Sequence, residues 1–393
     1  MKLINKIIKK ELFFYYFLGI GALFTLFLFT FRLSSLNTGM NKYEINTISS
    51  SSSLSDLISN SSNLPYRFFI YLTNSIYPHH IFFYRLTSVI WALLFIYIFY
   101  LVIKKKFGPN IATILGLLLM TSAWVLHTSR TAVPDVLYLS TILIFWFREY
   151  LKENRNLNKL FLVLVSMIVF YLYVPGMIWI GLIGILWQRK IIKELLSRLE
   201  RKYILLIGFY GLLLSIPLIF SIVHQPSNLL TIIGLPNSFP NLLKTLTNLL
   251  LLPYNILISM HQNSILWLGV APLFDFFTSS LVLFGLYRYI REWPNNYIKI
   301  ILVTILVASF LYALGGPVTI TMLIGSLYLI AATGLSFLIT KWFRVFPKNP
   351  IPRILGSLLI ILAVFVAVIY NTRSYFVAWP DNSKTSQYYK NLP

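Results

Sequence analysis

Apolar runs of membrane-spanning length alternate with short polar segments along nearly the whole chain. A helix of about 20 apolar residues crosses the hydrocarbon core of a bilayer, and runs of this length with few charges favour helices over strands. The pattern predicts an all-α polytopic membrane protein with about eleven transmembrane helices. They fall at about Leu12 to Phe31, Phe83 to Ile103, Asn110 to Leu126, Val136 to Phe147, Leu160 to Tyr173, Met177 to Trp187, Tyr203 to Val223, Trp267 to Tyr289, Tyr297 to Leu314, Thr319 to Ile339 and Ile354 to Tyr370.

The composition agrees with this pattern and excludes several classes of protein. Of the 393 residues, 58% are hydrophobic and 11% are charged, and the mean hydropathy is +0.76; one soluble core could not bury so much apolar surface. The chain has no cysteine, so disulfides, thiolate metal sites and cysteine nucleophiles are excluded. The net charge of +22 does not indicate nucleic-acid binding, because the basic residues lie beside the apolar runs instead of forming a solvated patch.

The basic residues also predict how the chain is oriented. With the N-terminus in the cytoplasm, 24 of the 33 lysines and arginines lie on the cytoplasmic side and nine lie outside, as the positive-inside rule requires. No small-residue cleavage site follows the basic N-terminus, so we expect a retained first helix and not a cleaved signal peptide. The predicted location is the plasma membrane, with the C-terminus extracytoplasmic.

We expect two modules within this arrangement. Residues 1–190 would form a catalytic transmembrane module that includes the first outer loop, residues 32–66. Residues 191–393 would form a second transmembrane module with an outer loop at 224–266 and an outer tail at 374–393.

Three further segments are too short or too interrupted to span the membrane. The segments LPYRFFIYLTNSIYPHH and residues 239–262 are predicted to be helices lying along the outer interface, and the amphipathic IIKELLSRLERK a helix on the inner surface. The serine-rich part of the first outer loop, SSSSSLSDLISNSSN, is predicted to be flexible.

The segment SAWVLHTSRTAVPDVLYLS, Ser122 to Ser140, is a polar elbow between two apolar runs, and it holds His127, Arg130 and Asp135. The predicted topology places the elbow at the outer face. The planar guanidinium of Arg130 could hold a phosphate through two parallel hydrogen bonds, or it could reach lipid headgroups or pair with Asp135. Asp135 follows Pro134 and could act in chemistry or simply complement a helix dipole.

Several segments resemble the C-type membrane glycosyltransferases, in particular bacterial relatives of the dolichyl-phosphate-mannose protein mannosyltransferases. LPYRFFIYLTNSIYPHHIFFYRLTSVIWALL is similar to that family's interfacial helix and its entry to the second span. FGPNIATILGLLLMTSAWVLHTSRTAVPDVLYL is similar to its small-residue helix, Ser-Arg elbow and Asp-headed helix. Two further segments also resemble that family, YLYVPGMIWIGLIGILWQRK and GGPVTITMLIGSLYLIAATGL. The resemblance is best over residues 10–190.

One residue departs from the family pattern. Family members usually carry an Asp-Glu pair in the first outer loop, with the Asp as general base. Here the corresponding stretch is GMNKYEINTI, so Tyr43 stands where Asp is expected and Glu44 fills the second place. Either the base has moved by one residue or this chain has lost full activity.

The resemblance implies transfer of a sugar from a polyprenyl-phosphate donor to a lipid, glycan or protein acceptor at the outer face, with membrane lipids as further partners. A carboxylate must take the acceptor proton, and cations must hold the leaving phosphate. The candidate catalytic residues are Glu44 and Asp135, with Asp56 as a backup base. The candidate substrate- or phosphate-binding residues are Arg130, His127, His261 and Asp275.

The sequence leaves the cofactor and two other functions open. It names no metal ligand set, although a divalent metal is not excluded, and no P-loop, GxGxxG or HExxH stretch indicates a nucleotide or a zinc protease. A lipid or glycan transporter or flippase is the main alternative, but its ionisable residues would be expected within the spans and not at their ends. The other alternative, an inactive homologue, depends on Tyr43.

Overall fold

The computed structural model describes residues 19, 21, 23–36, 39–154, 156–259, 272–292, 295–382, 385 and 389–390, and nearly all of them are helical. The first half of the chain forms α1 (residues 23–30), α2 (Lys42–Ser49), α3 (Leu54–Ser59), α4 (Leu64–Ile76), α5 (Ile81–Phe107), α6 (Pro109–Thr121), α7 (Ala123–Ser129), a 3₁₀ helix (Pro134–Ile142), α8 (Leu143–Glu153), α9 (Leu157–Tyr173) and α10 (Met177–Trp187). The second half forms α11 (Arg189–Arg198), α12 (Arg201–His224), α13 (Asn228–Ile233), α14 (Leu242–Leu257), α15 (Phe276–Arg291), α16 (Asn296–Ala313), a 3₁₀ turn (Ile320–Leu323), α17 (Ile324–Val345), α18 (Pro350–Arg373) and a π-helical turn (Ser374–Ala378).

The protein is an integral membrane protein with an all-α architecture, as the apolar pattern predicted. Within the described residues, five helices are long and apolar enough to cross a bilayer, and the bent pair α6 and α7 would make six. Three shorter apolar helices, α9, α10 and α14, accompany them. The count of eleven spans stays a prediction, because several predicted spans are shorter or less regular than the apolar runs suggested.

The third predicted span is broken where the elbow begins. The axes of α6 and α7 differ by 63°, and the break frees backbone groups that must be paired in an apolar surrounding. The amide N–H of Ala123 donates to Asn371 Oδ1 on α18 at 3.2 Å. The fourth predicted span likewise begins as a 3₁₀ helix and becomes α-helical only at Leu143. Sequence hydropathy predicts the length of such a segment but not its bend.

Helix α17 lies at the centre of the fold, and its close contact with α15 depends on small residues. Gly285 on α15 and Gly334 on α17 have no room for a Cβ atom, because each faces backbone atoms of the other helix. Small residues of this kind allow transmembrane helices to approach closely and pack without a hydrophobic driving force.

The predicted interfacial and surface segments are helices. LPYRFFIYLTNSI forms α4, residues 242–257 form α14, and the basic amphipathic segment forms α11. The serine-rich stretch, which the sequence predicted to be flexible, contains the short helix α3, capped by the Ser53 hydroxyl, which accepts from the Asp56 N–H at 3.1 Å.

Two short strands join the first outer loop to the C-terminal tail. Strand β1 (Met40–Asn41) pairs antiparallel with β2 (Tyr389–Lys390). Paired strands must lie on the same side of a membrane, so the loop and the tail share one face, as the predicted topology requires. Which face that is remains a prediction.

Candidate functional site

A polar pocket lies between the first outer loop and the elbow. Its volume is about 270 Å³. All of its lining residues belong to segments that the sequence predicted to lie on the outer face, and they come from distant parts of the chain. These residues are Tyr43, Asn46, Thr47, Ser50, Asn60, Ser62, Asn63, Arg67, Val133, Pro134, Asp135, Tyr138, Pro175 and Pro317.

Asp135 is the only carboxylate among the described residues that line this pocket. Pro134 begins the 3₁₀ helix and places Asp135 in its first turn, ahead of the buried part of that helix. The side chain is half-buried. Removal of water by the surrounding protein raises the pKa of Asp135 to about 6, because desolvation disfavours the charged carboxylate. A carboxyl group with such a pKa is suited to exchange a proton near neutral pH.

Arg67 forms the wall of the pocket on the loop side. Its guanidinium N–H groups donate to the carbonyls of Ser50, Asp56, Asn60 and Ser62 and to the Ser51 hydroxyl. Burial lowers the pKa of Arg67 to about 10, so the side chain stays charged at neutral pH. Arg67 therefore holds the serine-rich loop in one conformation. Its N–H groups already donate to atoms of this loop.

Sequence reasoning missed the role of Arg67. The signal was a lone arginine within an otherwise apolar interfacial helix, which must find partners when that helix packs against protein.

Glu44 lies behind the pocket and is fully buried. Its Oε1 accepts from Arg85 Nε at 2.8 Å and from the Ala132 N–H at 2.8 Å. Its Oε2 accepts from a terminal nitrogen of Arg85 at 3.1 Å and from the Asn41 N–H at 3.0 Å. Asn41 caps α2 in return, which completes a capping box. The carboxylate thus ties the loop to α5 and to the elbow, and its role as a base stays a prediction.

Tyr43, the residue before Glu44, does line the pocket. Its side chain is 55% exposed. Adjacent residues on a helix point in different directions, so α2 turns Glu44 inward and Tyr43 outward. Tyr43, which stands where the sequence resemblance leads us to expect an aspartate, therefore lines the same pocket as Asp135.

Arg130 is also buried and does not line the pocket. Its terminal nitrogens donate to the carbonyls of Leu28 and Phe31, each at 2.6 Å, and its Nε donates to the Tyr375 hydroxyl at 3.2 Å. The guanidinium also lies over the ring of Phe376, 4.9 Å from its centroid. Arg130 pairs with the end of α1 and with the tail, and no ion pair joins it to Asp135 within the described residues. Phosphate binding by Arg130 remains a prediction.

The replacement Arg130→Met is expected to lower the free energy of unfolding by at least about 3 kcal/mol, because it leaves several buried acceptors unpaired. The measurement is the apparent Tm of the detergent-purified protein. The matched control is Arg353→Met at an exposed arginine, with an expected change near zero. An unchanged Tm for Arg130→Met, together with a raised KM for the lipid donor, would contradict the structural role and favour a phosphate contact.

The other candidates that the structure describes do not line the pocket. His127 is buried beside Tyr375 and Trp379, with ring centroids 4.8 and 4.3 Å away, and neither ring nitrogen has a hydrogen-bond partner among the described residues. His261 lies outside the described residues.

Asp275 and Asp56 both form hydrogen bonds at the start of a helix. Asp275 caps α15 by accepting from the Thr278 N–H at 2.9 Å, and it also accepts from Asn371 Nδ2 at 2.9 Å. Asp56 lies on α3 outside the pocket lining, where hydrogen bonds from Ser53 and Ser52 lower its pKa. The predicted roles of both residues with substrate stay predictions. The hydrogen bonds described above are sufficient to give each residue a structural role.

No group of three or more histidine, aspartate or glutamate side chains with metal-binding geometry occurs in the described part of the chain. The metal requirement therefore stays open.

Comparison with known proteins identifies a fold but no family. No protein-family model matches the chain, and no curated protein matches its sequence. Two crystal structures of ArnT from Cupriavidus metallidurans are similar in fold. The apo structure has a TM-score of 0.52 at 10% identity, over 92% of this chain and 74% of ArnT. The structure bound to undecaprenyl phosphate has a TM-score of 0.50 at 11% identity, over 92% of this chain and 75% of ArnT. The chain therefore has the C-type glycosyltransferase fold.

Proposed function

We propose that this protein is a membrane glycosyltransferase that moves a sugar from a polyprenyl-phosphate donor to an acceptor hydroxyl in the pocket at Asp135. The observation that carries the proposal is a half-buried carboxylate of raised pKa in a polar pocket built from predicted outer segments. The fold shared with ArnT supports it, since one of those structures holds undecaprenyl phosphate.

In the proposed reaction, Asp135 accepts the proton of the acceptor hydroxyl as its oxygen attacks the anomeric carbon. The bond between that carbon and the phosphate oxygen breaks, and the lipid phosphate leaves with the bonding electron pair. Attack opposite the leaving group inverts the anomeric configuration. Asp135 then releases the proton to water, so one proton is exchanged per turnover.

In this proposal Glu44, Arg85 and Arg130 position the pocket residues and do not contact substrate. Glu44 and Arg85 hold α2 against the elbow, which fixes the distance between Tyr43 and Asp135. Arg130 fixes the elbow to α1 and the tail. Small displacements of a base from its acceptor cost large factors in rate, so these buried contacts would matter for catalysis without touching substrate.

An inactive homologue is the second candidate, favoured by Tyr43 at the position of the family's base. The test is a transfer assay with purified protein in liposomes, a panel of radiolabelled polyprenyl-phosphate sugars, and a membrane lipid and glycan extract as acceptor. We expect release of polyprenyl phosphate together with label in a new product. Absence of both across the panel, from protein with a cooperative melting transition, would favour the inactive homologue.

The rate of transfer should depend on pH through Asp135. The carboxylate is the competent form of a base, and its pKa is raised to about 6. We therefore expect kcat/KM to fall about tenfold per pH unit below pH 6 and to level above it. A rate unchanged between pH 5 and 7.5, measured where the apparent Tm is constant, would contradict Asp135 as the base.

A further inference from the structure

The described residues that line the pocket at Asp135 present mostly neutral hydrogen-bonding groups, and the only cation among them, Arg67, is buried. Side-chain amides come from Asn46, Asn60 and Asn63, and hydroxyls come from Thr47, Ser50 and Ser62. The amides of Asn46 and Asn63 form no side-chain hydrogen bond to other described residues. Each offers two donors and one acceptor, which matches the neighbouring hydroxyl groups of a sugar ring.

The charges that line the pocket disfavour an anion. Asp135 would repel a phosphate. Arg67, the one cation among the described residues of the lining, already donates to five oxygen atoms of the loop. A phosphate could bond Arg67 only if those carbonyls lost their partners, and unpaired buried carbonyls are costly. An uncharged ligand avoids both penalties.

Size and shape restrict the ligand further. A volume of about 270 Å³ lies just below the range of about 300–1,000 Å³ for sites that enclose drug-sized ligands. One sugar ring suits this space better than a long chain. The exposed ring of Tyr43 and the rings of Pro134, Pro175 and Pro317 supply apolar surface for the C–H face of such a ring.

From these observations we infer that the pocket binds an uncharged sugar residue of the acceptor and discriminates against a phosphorylated one. The inference rests on the proposed function, because it takes the hydroxyl beside Asp135 to be the acceptor. It also gives Tyr43 a use at the position of the missing aspartate, as a platform for the acceptor sugar.

The test is saturation-transfer NMR on the full-length protein in nanodiscs. The probes are the methyl glycosides of glucose, mannose, galactose and N-acetylglucosamine, together with the 6-phosphates of the same sugars. We expect signals from at least one neutral glycoside and signals at least about fivefold weaker from its 6-phosphate. The replacements Asn46→Ala and Tyr43→Ala should each reduce the neutral signal severalfold, whereas the control Asn237→Ala, at an exposed asparagine outside the pocket, should not.

Asp135→Asn should raise the signal of the 6-phosphate about five- to tenfold relative to the neutral sugar, because it removes one like charge at close range. Equal signals from neutral and phosphorylated sugars, or neutral signals that persist in Asn46→Ala and Tyr43→Ala, would overturn the inference. Transfer to a phosphorylated acceptor without neutral-sugar binding would overturn it while leaving the proposed function intact. Neutral-sugar binding that depends on Asn46, without transfer from any polyprenyl-phosphate sugar, would support the sugar site and refute the transferase.

Discussion

Replacing Asp135 with asparagine is expected to lower the rate of sugar transfer by about 10²- to 10⁴-fold, the usual contribution of a general base. Asparagine has nearly the same shape as aspartate but cannot take a proton at neutral pH. The side chain is only half-buried and forms no ion pair with a described residue. The apparent Tm in detergent should therefore stay within about one degree of the parent. The measurement is single-turnover transfer from a saturating polyprenyl-phosphate sugar, paired with that melting curve.

Asp56→Asn is the matched control, since it alters a carboxylate of the first outer loop that does not line the pocket. The amide oxygen of asparagine can still accept from the Ser52 and Ser53 hydroxyls, so α3 should persist. The control is expected to keep the parent rate. Loss of transfer in Asp56→Asn with full activity in Asp135→Asn would reverse the assignment and make Asp56 the base.

The replacement Glu44→Gln is expected to reduce both transfer and stability, in contrast to Asp135→Asn. It leaves the buried Arg85 without its counter-ion, and breaking one side of a buried ion pair costs about 3–5 kcal/mol. The apparent Tm should fall by several degrees. The loss of transfer should then follow from a displaced loop and elbow, with a pH profile that keeps its midpoint near 6 because Asp135 is untouched.

Two comparisons separate this effect from direct chemistry by Glu44. The double variant Glu44→Gln/Arg85→Met removes the unpaired charge and should recover part of the lost Tm. Glu149→Gln removes a solvent-facing ion pair with Lys152 and should change stability by less than about 1 kcal/mol. If Glu44→Gln kept the parent Tm while losing all transfer, the positioning role would be wrong and Glu44 would be the stronger candidate for the base.

Hydropathy predicted the membrane class because a bilayer imposes a similar length and polarity on every spanning helix, and the family resemblance predicted the C-type fold. The membrane class and the C-type fold are confirmed. The break between α6 and α7 was not predicted, because the pairing of the Ala123 N–H with Asn371 depends on a contact between residues far apart in sequence. By contrast, the short span at Met177–Trp187 has the bounds that the apolar pattern predicted.

The candidate site was harder to predict than the fold. The sequence shows that the elbow and the first outer loop hold ionisable residues, but it does not show which of these side chains line a pocket. Glu44 and Arg130 carry the charges that a mechanism needs, yet the structure pairs both with buried partners. Asp135 lines the pocket because Pro134 begins its helix there. The direction of a side chain depends on how several segments pack together, so it cannot be predicted from a local sequence pattern.

The pairing of β1 with β2 also has a consequence for how the protein is made. Translation proceeds at roughly 5–20 residues per second, and most of the chain separates Met40 from Lys390. The first outer loop must therefore wait on the order of tens of seconds for its partner strand. During that time Asn41 lacks the neighbouring Tyr389 hydroxyl, and Arg85 lacks the ring of Tyr389 beside it. The pairing of the loop with the tail is complete only when Tyr389 and Lys390 have been synthesised, so a membrane-bound chaperone or protease would meet this loop as unfinished structure until late in synthesis.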